Sequence, residues 1–212
     1  MMKKFVFLSV CGAALAACGG GGGGVSHSTP FSEVSATTAD LVAKTNRNPG
    51  GAAEFYEVLA TLPAIDSASY EGVIGITQAV TTPPPTGYVS PITMTADFTA
   101  PDAQISGTAN EFYIAQDVTT LPVAPAQAIS GSVDVSADLN ACCGSLSVSF
   151  DGNVDFNNDG TASEALSGDG SGLFIGPNST TAEFFLATGD DIPVTGSSIF
   201  TGVDIRLIAE QQ

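Results

Sequence analysis

Asp155, Asn157 and Asp159 place side-chain oxygens at alternate positions just ahead of Gly160. This D-x-N-x-D-G spacing matches the first half of a calcium loop, where positions 1, 3 and 5 supply oxygens and the glycine permits a sharp turn. A full loop closes on a bidentate glutamate at position 12. Here that position is Leu166, and Glu164 comes two residues early. Charge and coordination number fall short, and a turn built on Asn and Gly accounts for the same residues. The expectation is no metal held tightly and no cofactor.

The other reactive side chains are few. Cys142 and Cys143 are adjacent and precede Gly144. In an oxidising compartment such a pair can close a vicinal disulfide, or it can stay reduced within a turn. No cation or helix start lies nearby to activate a thiol. His27 is the only histidine and sits in a Gly/Ser/Thr-rich leader, so it reads as incidental and removes His-based nucleophilic catalysis from the folded part. Haem iron would be left with Tyr56, Tyr70, Tyr88 or Tyr113 as ligands. Among 22 acidic residues no catalytic carboxylate pair stands out. Arg206, the sole base within the strands, is expected to pair with a neighbouring carboxylate. The chain does not read as an enzyme.

The strongest signal is near the start. Lys3 and Lys4 precede an apolar run from Phe5 to Ala17, which is 13 residues and too short to span a bilayer. Leu15-Ala16-Ala17-Cys18 then reads as a lipobox, with residues 1–17 as signal peptide and Cys18 as the acylated first residue of the mature chain. The membrane partner is therefore a lipid anchor. Gly19 follows Cys18 in place of the aspartate that retains such proteins at the inner membrane, so the expected location is the bacterial outer membrane. Residues 18–30 read as a flexible Gly-rich tether.

Beyond Cys18 the chain holds its 22 acids against three bases, Lys44, Arg47 and Arg206. Such a surface repels phosphate backbones, so nucleic acid is excluded as a partner, whereas a basic protein face is allowed.

Residues 31–66 form an N-terminal extension. Phe31–Asn48 is weakly patterned, and Pro49–Leu62 carries Ala52, Phe55, Tyr56, Leu59 and Leu62 at helical spacing before Pro63. From Ser67 to the end the period changes to two. Expected strands are Tyr70–Thr77, Ile92–Phe98, Ala103–Asn110, Ile129–Ser136, Ser145–Phe150, Gly168–Gly176, Thr181–Thr188 and Ile199–Ile208. Ile92, Met94, Phe98, Val133, Val148 and Phe174 are assigned inward. Thr81–Pro91 and Asp117–Gln127 are proline-bearing loops. No crossover helix fits the gaps, so the sheet is antiparallel. The fold class is all-β: an eight-stranded up-and-down barrel over 67–212, with a sandwich as the other solution. The glycines at 107, 131, 172 and 202 suit the bends of a small barrel.

Three stretches carry a resemblance. Gly172-Leu-Phe-Ile-Gly-Pro-Asn178 with Thr181-Ala-Glu-Phe-Phe185, Ala68-Ser-Tyr-Glu-Gly72, and Met94-Thr-Ala-Asp-Phe98 with Ile105-Ser-Gly-Thr108 together resemble the barrel of transferrin-binding-protein-B-like lipoproteins, from about Ser67 to Ile208. The chain departs from that pattern at Phe184-Phe185-Leu186 and is too short for the handle domains, so transferrin binding does not carry over. The resemblance implies a barrel, a lipid anchor and surface display. The expected function is a non-enzymatic binding module for a host or environmental protein, or for an iron or haem carrier. The alternative is a structural envelope lipoprotein without a specific ligand.

Overall fold

The structure, a computed structural model, describes residues 25–46, 57–58, 61, 63–78, 86–99, 103–116, 126–139, 146–177, 181–198 and 201–212. It is mostly β, with one short helix and a closed eight-stranded antiparallel barrel. Helix α1 spans Phe31–Asn46 and β1 is Glu57–Val58. The barrel begins with β2 (Ser67–Gln78) and β3 (Thr86–Asp97). Next come β4 (Gln104–Ala109) and β5 (Phe112–Gln116), then β6 (Gln127–Ile129) and β7 (Gly131–Asp138). It ends with β8 (Leu146–Val154), β9 (Glu164–Gly176), β10 (Phe184–Thr195) and β11 (Gly202–Gln211).

Ten strands, β2 to β11, make eight staves because two staves are broken; β1 lies off the ring. β4 and β5 run on from one another, as do β6 and β7, and both halves of one stave pair with both halves of the other. Every stave pairs with its neighbours in sequence. The ring closes where β11 meets β2, from Val203↔Gln78 to Gln211↔Tyr70. Closure leaves no long unpaired edge to manage.

Period-two alternation decides which side chains go in. Along β7 the buried residues are Val133, Val135 and Ala137, with Ser132, Asp134 and Ser136 outside; β8 alternates likewise. All six residues assigned inward from the sequence lie in the interior cluster. The interior is filled by large side chains, among them Tyr70, Tyr88, Met94, Phe112, Phe150, Phe156 and Phe185. An eight-stranded barrel has room for side chains and little else. The rings fit because β9 turns glycines inward. A Cβ on Gly170 would stand 2.9 Å from Cε2 of Phe150, and one on Gly172 would stand 3.0 Å from Cζ of Phe185. Gly202 has no such crowding, with its nearest neighbour at 3.7 Å.

Several expectations are corrected. The helix lies at Phe31–Asn46, in the stretch that reads as weakly patterned. Of its apolar side chains only Val34 and Leu41, one heptad apart, are buried, and its threonines are poor helix formers. Thr38 and Thr45 instead donate hydroxyl hydrogen bonds back to the carbonyls of Val34 and Leu41. Within the expected helix Pro49–Leu62, Glu57–Val58 form β1, paired with Gly176 and Ile175 of β9; of its other residues only Thr61 is described. The expected loop Thr81–Pro91 gives way to β3 at Thr86, so Pro91 lies within a strand. It is tolerated because it falls opposite the break between β4 and β5, where the register slips by one: Thr93↔Thr108 but Val89↔Tyr113.

Helix α1 lies outside the barrel across β3, β2 and β11. Val34 and Leu41 join an outward-facing apolar cluster of Val73, Val89, Tyr113, Ile175 and Phe184. Lys44, in its last turn, bonds both carboxylate oxygens of Glu210 on β11, at 2.9 and 2.6 Å, and also pairs with Asp40. These hydrogen bonds, Glu210 first and Asp40 second, raise the Lys44 pKa.

The inside/outside assignment gives a stability test. Phe98 is buried against Phe174, ring centroids 5.7 Å apart, whereas Thr95 on the same stave is exposed. Phe98→Ala is expected to cost about 3–5 kcal/mol in denaturant unfolding. Thr95→Ala is expected to change stability by no more than about 0.5 kcal/mol.

Candidate functional site

Two places concentrate the polar side chains that the sequence singles out. The first is the β8–β9 connection. Asp155 is fully buried, and its two oxygens accept the backbone N–H groups of Asp159 (2.9 Å) and Gly160 (2.8 Å). Glu164, also fully buried, accepts from the backbone N–H of Phe156, from Asn157 Nδ2 and from Ser163 Oγ, at 2.6–2.8 Å. A buried carboxylate without a cation is costly unless neutral donors surround it, and here they do. Asn158 adopts φ 55° and Gly160 φ 92°, the left-handed backbone of a tight turn.

Asn157 Oδ1 accepts from the backbone N–H and hydroxyl of Ser198, and Asp159 Oδ1 from the N–H of Thr161. The oxygens of the half-loop thus face the chain's own donors. Among the described residues no group of three or more His, Cys, Asp or Glu side chains is placed to hold a metal ion.

Beneath this turn Tyr88 points into the barrel and donates its hydroxyl to the carbonyl of Phe156 at 3.2 Å. Burial, with the charges of Asp155 and Glu164, pushes its pKa up to about 12. Tyr70 donates to the Ala182 carbonyl at 2.8 Å, and burial raises its pKa further. Tyr113 donates to the Thr29 carbonyl at 2.5 Å, and burial raises its pKa too. All three phenols are engaged by backbone, in the protonated form that a phenolate iron ligand would have to abandon. Tyr56, Cys18, Cys142 and Cys143 lie outside the described residues.

The second place is the β4–β5 break. The N–H of Glu111 is held by Ser90 Oγ at 3.1 Å, and Ser90 itself is fully buried. The Glu111 carboxylate then meets the leader. It accepts from the N–H and hydroxyl of Ser28 (2.6 and 2.5 Å) and from the N–H of Thr29 (3.1 Å). His27 Nε2 donates to the Phe112 carbonyl at 2.9 Å, and its ring stands edge-on to Tyr113, centroids 4.9 Å apart. Residues 27–29, expected within a flexible tether, are a strap docked on the barrel wall. His27 is part of that strap and no longer incidental. The hydrogen bonds from Ser28 and Thr29 pull the Glu111 pKa down to about 2.

Among the described residues, depressions mark the outer wall. One, of about 450 Å³, is polar, lined by Gln104, Ser136, Asp138, Ser147 and Ser149. Two flank α1. The lower one, about 220 Å³, carries Glu33 and Glu71; the upper, about 190 Å³, is apolar and lined by Val42, Val73, Val89 and Ile208 with Arg206 at its rim. Arg206 is committed to Asp190 at 2.7 Å, as expected of it. No family model matches the chain, and no curated protein matches its sequence.

Three expectations follow. Glu164→Ala strands buried N–H donors and is expected to cost about 3 kcal/mol. Calorimetry with calcium is expected to register no micromolar binding; such binding, if abolished by Asp155→Ala, would overturn the reading of this loop as a turn. At the strap, a glutamate whose folded pKa lies below its ordinary 4.5 contributes stability above that value and loses it as pH falls toward 2. Protection of the amides at 27–29, relative to their intrinsic exchange rates, is expected to fall across that window, and Glu111→Gln to flatten the dependence.

Proposed function

We propose that this chain is a lipid-anchored, non-enzymatic binding protein of the bacterial outer membrane, displayed at the surface and acting through the outside of its barrel. The observation that carries the reading is the filled interior. Phe150, Phe185, Tyr70 and Tyr88 occupy the space that a lipocalin-like ligand would need. Asp155, Glu164, Tyr70 and Tyr88 all spend their polar atoms on the chain's own donors and acceptors. That leaves no poised acid, base or nucleophile among them and directs recognition to the exterior.

The contact surface proposed is the barrel end at which β2, β5, β8 and β10 finish. The connections there include the Pro-rich 79–85 and 117–126, now trimmed by the start of β3 and β6. Proline stiffening lowers the entropy lost on binding. The partner is a protein with a basic face or an iron or haem carrier, consistent with the chain's net charge of −17. The polyglycine after Cys18 and the resemblance to transferrin-binding-protein-B-like barrels support the anchored, displayed form.

Three measurements test this. Cys18→Ala is expected to leave the precursor unprocessed or the protein soluble, and wild type free of acyl mass at Cys18 would sink the anchor. Protease or antibody on intact cells is expected to reach the barrel. The purified mature domain, used as bait against basic host or environmental proteins, haem and iron chelates, is expected to retain one of them. A barrel shielded in cells that captures none would leave a structural envelope role.

A further inference from the structure

The strap and helix α1 together dock a long stretch of chain that otherwise belongs to the tether. The strap is pinned by Glu111, Phe112 and Tyr113; the helix by Val34, Leu41 and the Lys44–Glu210 pair; and β1 by the free flank of β9 beyond its pairing with β8. Among its described residues the extension thus touches β5 at the strap, β3, β2 and β11 at the helix, and β9 at β1.

We infer that this docked extension sets how close the barrel sits to the lipid surface and which flank faces it. The inference rests on the proposed acylation of Cys18. His27 lies nine residues on from Cys18. Nine residues reach at most about 30 Å when fully extended. A Gly-rich chain of that length has a root-mean-square span of about 17 Å. Were the extension undocked as far as Ser67, 49 residues would separate anchor and barrel. The corresponding figures become about 160 Å and about 40 Å. Docking therefore converts a long leash into a short one. It also moves the attachment point from the end of the barrel where β2 begins to the middle of its side, at the β4–β5 break. The flank carrying β5 and α1 faces the lipid, and the β8–β9 wall, rich in Ser and Asp, faces away.

Neutron reflectometry on a supported bilayer tests this without relying on acylation. The mature chain is attached to nickel-chelating lipid through an oligohistidine tag in place of Cys18, so failure of the lipidation reading leaves the experiment intact. For wild type the water gap between bilayer and protein is expected to be below about 20 Å. In Glu111→Ala/Leu41→Asp, which undocks strap and helix, the gap is expected to grow about twofold. Hydrogen exchange is run beside it on that variant and on the milder Glu111→Gln/Tyr113→Phe, which removes only polar contacts. Loss of protection confined to 27–46, with barrel strands still protected, confirms undocking on an intact fold. Equal gaps for wild type and an undocked variant would overturn the inference. So would wild-type amides at 27–29 that exchange as freely as in the variants.

Discussion

Closure of the ring between β11 and β2 is the constraint from which the rest of the molecule follows. Once nine residue pairs lock those staves together, the interior volume is fixed. It must then be filled by side chains of the right size, because voids and overpacking both destabilise. Bulky rings from β8 and β10 meet an inner face of β9 reduced to glycine at 168, 170 and 172. The two buried tyrosines bring hydroxyls into the same space, and each is placed where a backbone carbonyl faces inward from a strand end or turn. Polar satisfaction and volume are solved by the same residues. The chemistry in the barrel is thus spent on holding the barrel.

The outside of the wall is divided. On β7, β8 and β9 the outward residues are short and polar: Ser136, Ser149 and Asp169 stand in cross-strand register, with Ser149 donating to Asp169 at 2.7 Å. On β9, β10, β2 and β3 the outward residues include Ile175, Phe184, Val73 and Val89. An apolar stripe of that kind left open would invite association. Helix α1 and the strap cover part of it. The helix is weak by intrinsic propensity and short, so its order comes from the stripe beneath it, as is usual for helices of this length. The dependence is mutual: the stripe needs a cover, and the cover exists only on the stripe.

The barrel was legible in the sequence because alternation is a local signal. Ile92 to Phe98 and Ile129 to Ser136 state their faces residue by residue, and the six side chains placed inward are inward. What sequence reading missed depends on contacts distant along the chain. Phe31–Asn46 carries terminal marks, Pro30 before it, Glu33 in its first turn and Lys44 in its last, but no broad apolar face, since the partners that order it lie on β2, β3 and β11. Glu111 is one acid among 22, and its role as a clamp is set by a stave break more than 80 residues from Ser28. The break itself left a trace: Pro91 inside an alternating run is the mark of a ladder interrupted on one side. Asp155 and Glu164 stand out in the sequence by a spacing close to that of a calcium loop; their burial and backbone partners make them a turn staple.

Charge decides what the exterior can meet. Among the described residues the permanent cations are Lys44 and Arg206, and each is already paired with the chain's own carboxylates. Lys44 is spent on holding α1, and Arg206 on bracing β11 against Asp190 of β10. A partner of the kind proposed would meet a surface that is acidic with almost no basic counterweight. Such a field extends roughly one Debye length, about 8 Å at physiological salt, and steers encounter more than it holds the complex together. Lasting affinity then has to come from contacts that exclude water, and these require side chains held in place before the partner arrives. At the barrel end that carries the Asp155 turn the scaffold meets that requirement. Gln127 of β6 bonds Asn158, Asn157 bonds Ser198 of the β10–β11 connection, and Glu164 ties both sides of the turn. These bonds tie β6 and the β10–β11 connection to one turn held by buried carboxylates, so the described side chains there are fixed by the chain's own contacts.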